Sequence, residues 1–170
     1  MIHSKYFPVI ITGFAAGVLT TVPGLKSFGC CLLVPAAAIF ALHIDKRIEG
    51  YLTKITPSHA IVFGLLTGVA AALFSTTFEV LITFITKRND IVDALPIIAQ
   101  QMSEFKFLDP DGLALDMLNS IANDIIEYGF SPLYAFILFF NNLFSFAIFG
   151  LIGGLAGMGI LNSKIKKLNR

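Results

Sequence analysis

The sequence predicts an all-α polytopic membrane protein, with four transmembrane helices and one amphipathic helical hairpin outside the bilayer. Three observations predict it. Of 170 residues, 56% are hydrophobic and 14% are charged, against about 25% charged in ordinary globular domains. The apolar residues gather into runs, and runs of about 20 match a bilayer. One polar stretch with helical periodicity separates the last two runs. A chain this short cannot hide so much apolar surface in a globular core. The net charge of +1 carries no bias toward nucleic acid, so the expected surroundings are lipid and not nucleic acid. Tryptophan is absent, which leaves 17 Phe and 4 Tyr to form any interfacial belt.

The whole chain, 1–170, reads as a single membrane domain. The first span is expected over 7–22. Lys5 precedes it, as in a signal peptide, but no A-x-A cleavage pattern follows and the run ends in Pro23-Gly24. A retained span is the reading preferred. "PGLKS" makes a tight turn. The second span, 28–44, is interrupted by Pro35 and is short for a bilayer. "DKRIEGYLTK" is a polar loop. Thr56 then caps a new helix with Pro57 at its first position. The third span covers 60–85. The fourth covers 133–161, opened by "GFSP", in which Gly129 ends one helix, Ser131 caps and Pro132 starts the next.

The hairpin is expected over 89–128. Ile91, Leu95, Ile98, Met102 and Phe105 form one apolar stripe, and Ala114, Leu118, Ile121, Ile125 and Tyr128 a second. "FLDPDG" reads as the turn between them. From Lys87 to Tyr128 there are three basic and eight acidic residues. Helices that bind anionic lipid are basic, so this pair is expected to pack helix on helix above the membrane. With the N-terminus inside, the inner segments carry Lys5, Lys46, Arg47, Lys54, Lys164, Lys166, Lys167 and Arg170. The outer ones carry Lys26, Lys87, Arg88 and Lys106. The excess places both termini in the cytoplasm.

Glycines are the other prominent pattern. "FGLIGGLAGMGIL" holds five glycines in 13 residues, although each costs a helix about 1 kcal/mol relative to alanine. Gly13 and Gly17, Gly64 and Gly68, Gly150 and Gly154, and Gly153 and Gly157 are all four apart. Such G-x-x-x-G pairs share one helix face and leave it flat. Lipid supplies little hydrophobic drive between helices, and close backbone approach through small residues supplies the packing instead. With N-terminus inside, all these pairs fall mainly in the cytoplasmic half, so spans one, three and four are expected to meet there. The fourth span, with two glycine registers, has faces for two neighbours. Chance is the plainer alternative, because glycine is common in membrane helices.

Few residues carry chemistry. Glu79 is the one ionisable side chain well inside an expected span, which is a functional hypothesis by default. Asn141 and Asn142 lie at a similar depth. Together they form a candidate intramembrane polar cluster, either a proton or cation relay or polar glue between helices. Polar glue is preferred, because no second acid or basic group shares that depth. Cys30-Cys31 have too few companions for a metal site and bridge badly as neighbours; small packing residues are the preferred reading, before intermolecular bridging or acylation. His43 and His59 flank the inner loop and read as interfacial packing. "DPDG" fails the calcium-loop template. No metal, cofactor or catalytic set is expected.

Ala60, Gly64 and Gly68 give an A-x-x-x-G-x-x-x-G entry to span three, after a short first hairpin and before a helical insert. In this the chain resembles a group of small bacterial four-span membrane proteins known as a domain of unknown function. "PGLKSFGCC" is similar to a Pro-Gly turn running into paired cysteines in other bacterial membrane proteins. The resemblance implies a bacterial inner membrane and supplies no activity. The function expected is that of a non-enzymatic integral membrane protein acting by helix–helix association, as an accessory or assembly subunit or a homo-oligomer. The alternative is a small transporter or channel using Glu79 with Asn141 and Asn142.

Overall fold

The computed structural model describes residues 5–49, 54–104 and 111–168, and every regular element among them is helical. In chain order these are α1 (Phe7–Thr20), α2 (Lys26–Phe28), a π-helical segment (Gly29–Leu33), α3 (Val34–Glu49), α4 (Pro57–Thr86), α5 (Asp90–Glu104), α6 (Leu113–Tyr128) and α7 (Pro132–Leu168). Three stretches are long and apolar enough to cross a membrane: Lys26–Ile48, Pro57–Thr86 and Pro132–Ser163. Only 17% of the most apolar window of Pro132–Ser163 is buried, with 33% and 44% in the other two. That much uncovered apolar surface calls for apolar surroundings, which makes the fold compatible with a membrane protein.

Helix α1 is apolar and 14 residues long. At 1.5 Å per residue it reaches about 21 Å, against roughly 30 Å of hydrocarbon. It stops at Thr20, two residues before the expected end. The Thr20 and Thr21 hydroxyls donate back to the Gly17 and Val18 carbonyls, at 2.8 and 2.7 Å, and Pro23 follows. The expected interruption at Pro35 is instead a widened turn. The Val34 N–H reaches back to the Gly29 carbonyl, a five-residue step that accommodates a proline without breaking the helix. Thr56 Oγ1 accepts from the His59 N–H at 3.4 Å at the start of α4.

The chain divides into two compact units. The first comprises Met1–Phe78 and Phe139–Arg170. Its core is built largely from small residues. Ala16, Val34, Ala37, Ala71, Ala72 and Phe146 form one cluster, and Val9, Ala41, Leu42, Ala60, Phe63 and Leu161 form another. Alanine-rich seams let helix backbones approach, which is where packing energy comes from when no water is to be expelled.

The second unit is Glu79–Leu138. Ile121, Ile125 and Tyr134 are its buried centre, with Ile91, Val92 and Leu138 packed against them. Asn89 Oδ1 accepts from the Val92 N–H at 2.9 Å and so caps α5. Gly129, with φ of +77°, ends α6, and its N–H bonds the Ile125 carbonyl. The expected stripe of α6 is shorter than its sequence pattern. Ala114 and Tyr128 are exposed and Ala122 is buried beside Ile121. Phe105 and most of "FLDPDG" lie outside the described residues, as does the side chain of Met102.

Candidate functional site

In the first unit, each glycine pair meets a particular neighbour. A Cβ added at Gly13 would stand 2.6 Å from the Ala70 Cβ, and one at Gly17 2.7 Å from the Phe74 Cβ. The two contacts advance together, so α1 and α4 run in the same direction. Gly64 faces the Gly150 carbonyl, and Gly150 faces the Gly64 carbonyl; Gly68 faces Phe146, and Gly154 faces Ala60. Here the numbers run opposite ways, so α4 and α7 are antiparallel. The reciprocal approach of a glycine Cα to the facing carbonyl is the geometry of weak Cα–H···O bonds. A Cβ added at Gly153 would stand 2.5 Å from the Pro35 backbone, and one at Gly157 3.2 Å from the Ile39 Cα. The second register of α7 therefore faces α3. One helix thus has two backbone-close neighbours, on faces one residue step apart.

Hydroxyls and amides line the same interior. Thr20 Oγ1 and Ser75 Oγ are hydrogen-bonded at 3.0 Å, joining α1 to α4. Asn142 is buried and its Nδ2 donates to Thr76 Oγ1 at 3.1 Å, joining α7 to α4. Thr12 and Thr67 satisfy their hydroxyls on the Pro8 and Phe63 carbonyls one turn back. Buried polar groups must be paired in this way to avoid a desolvation cost of roughly 1–3 kcal/mol each.

The three residues of the candidate polar cluster fall in two units, Asn141 and Asn142 in the first and Glu79 in the second. Asn142 points inward to Thr76. Its neighbour Asn141 is exposed and makes no hydrogen bond among the described residues. Successive helical residues point about 100° apart, so one can be inside and the other outside. Glu79 belongs to the second unit, where it is half-buried and accepts from the Tyr134 hydroxyl at 3.5 Å. Tyr134 went unnoticed in the sequence because a tyrosine two residues into a span reads as an interfacial anchor.

Asp45, Lys46, His59 and Asn162 gather at one end of the first unit, a grouping that the sequence does not show. Asp45 and Lys46 are each 5% exposed. His59 Nε2 and Asp45 Oδ2 are 2.7 Å apart, and the His59 ring stacks on Phe63 with centroids 4.3 Å apart. Lys46 Nζ reaches the Leu161 carbonyl at 3.5 Å. Asn162 brackets the backbone of Ile55, accepting from its N–H at 3.0 Å and donating to its carbonyl at 2.9 Å. His59 thus pairs with an acid on α3. A signal was present: Asp45 continues the Ala38, Ala41, Leu42 face by helical spacing.

The cysteine sulfurs are 3.6 Å apart and free. Among the described residues no three His, Cys, Asp or Glu side chains come together as a metal site. No protein-family model, curated protein or solved structure matches the chain.

Proposed function

We propose that this chain is a four-span protein of the bacterial cytoplasmic membrane, with both termini inside and the α5–α6 pair outside. In this reading it works without catalysis, by helix–helix association with other membrane subunits or with its own kind. The observation that carries it is the division of surfaces. Glycines, hydroxyls and the Asn142 amide face inward, while the outer faces carry large apolar side chains such as Phe40, Leu73 and Phe144. An interior sealed by backbone contact suits a rigid packing module better than a conduit. The fourth span in this count is α1. Its length is short, but it lies parallel to α4 at glycine-close range, and a bilayer thins locally around a short span at modest cost. The bias of Lys and Arg toward the inner segments supports the orientation.

The native mass of the tagged chain in nanodiscs, with co-purifying proteins identified, tests this reading. A particle larger than one chain is expected. A lone monomer would sink it and favour the transport alternative, in which proteoliposome flux depends on Glu79 with Asn141 and Asn142. Under that alternative Glu79→Gln abolishes the flux.

A further inference from the structure

Asn141 lies within the longest apolar helix of the chain. It is preceded by the apolar run from Leu133 to Phe140 and followed, after Asn142, by that from Leu143. Its side chain is exposed on the outer face of α7 and has no hydrogen-bond partner among the described residues. In hydrocarbon an unpaired primary amide is costly, and water is not there to relieve it. Several polar side chains of this unit are bonded within it: Thr20 to Ser75, Thr76 to Asn142, and Thr77 back to the Leu73 carbonyl. The Asn141 amide, with two donors and an acceptor, is not.

The residues around it form a seam. Asn141, Phe144, Ile148, Ile152, Leu155 and Gly159 are all exposed and follow one another by three or four positions, on one face of the helix. Asn141, Ile148 and Leu155 are spaced by heptads, the spacing of a left-handed helix pair, in which a single polar residue at an inward position fixes register and oligomer state. Gly159 has nothing of its own chain within 4 Å of an added Cβ, unlike Gly150, Gly153, Gly154 and Gly157 of the same helix. Its flat surface is left for something else.

We infer that a second copy of this chain docks on this face, with α7 against α7 and the amide of Asn141 hydrogen-bonded to the partner's Asn141. A primary amide carries both donors and an acceptor, so it is complementary to itself. Copies inserted with the same orientation hold Asn141 at the same depth, so a two-fold axis along the membrane normal brings the two amides together without further design. A different partner would need a polar group of its own at that level. The inference rests on the association reading above and names its partner.

The test uses the full chain with Cys30→Ser and Cys31→Ser, carrying one new cysteine and oxidised in native membranes. Ile148→Cys and Phe144→Cys are expected to give a disulfide-linked dimer, and Phe40→Cys, exposed on α3, is not. In nanodiscs, subunit-exchange fluorescence is expected to show dimerisation weakened on the order of tenfold by Asn141→Val and retained by Asn141→Gln. The outward position means that neither variant disturbs the fold, which circular dichroism and monomer thermal unfolding check. Dimers that crosslink elsewhere, or that ignore Asn141→Val, overturn the inference. A hetero-assembly without self-crosslinking overturns it too while leaving the association reading intact. A lone monomer overturns both.

Discussion

At the scale of single residues, the contrast between glycines of α7 is the most informative. Gly150 faces a carbonyl of α4 at a distance that leaves no room for a methyl group, while Gly159 faces open space. Alanine at both positions has the same intrinsic advantage in a helix, about 1 kcal/mol. The difference between the two variants therefore isolates the interhelical seam. Gly150→Ala is expected to destabilise by about 1–3 kcal/mol through overpacking, whereas Gly159→Ala stays within about 1 kcal/mol of the parent. Thermal unfolding in one mild detergent compares them. Equal midpoints for both variants would mean that the seam is loose. The two asparagines make the same point chemically: adjacent in sequence, one ties α7 to Thr76 and the other faces outward.

At the scale of elements, termini decide where helices can turn. Helix α4 ends with Lys87 at φ +52°, the left-handed conformation that side chains disfavour. Lys87 holds that position with its ammonium group donating to the Glu127 carbonyl at 2.9 Å, at the last turn of α6. Gly129 is the matching turn at the end of α6. It combines φ of +77° with the Phe84 carbonyl 2.8 Å from an added Cβ. Gly129→Ala is expected to cost about 1–2 kcal/mol from the backbone alone. It should raise amide hydrogen exchange in α6 and the first turn of α7 while leaving α1 and α3 protected. Unchanged exchange in α6 would show that the turn tolerates a side chain.

For the whole molecule, orientation is the property to measure. In the proposed topology α6 faces outward and the loop before α4 faces the cytoplasm. In the cysteine-free background, Asp116→Cys should react with an impermeant maleimide on intact cells, and Lys54→Cys only after permeabilisation. The reverse pattern would invert the orientation without changing the fold. The end of the first unit that holds Asp45, Lys46, His59 and Asn162 would then face outward as well.

What could be read from the sequence was local. Helical periodicity, proline and glycine punctuation and the length of apolar runs are set by neighbours along the chain, so the helical class and the three long apolar helices were legible. Hydropathy does not register the Thr20 and Thr21 hydroxyls, which bond the Gly17 and Val18 carbonyls at the end of α1. The spacing of four between glycines places each pair on a common face, but it carries no information about the partner. Only the tertiary packing decided that α7 meets α4 through Gly150 and Gly154 and α3 through Gly153 and Gly157. It also decided that His59 pairs with Asp45 and not with His43, and that Asn142 turns in while Asn141 turns out. The physical reason is one of phase. A helix fixes the angles between its own side chains, about 100° per residue, but its rotation about its axis is chosen by the neighbours it packs against.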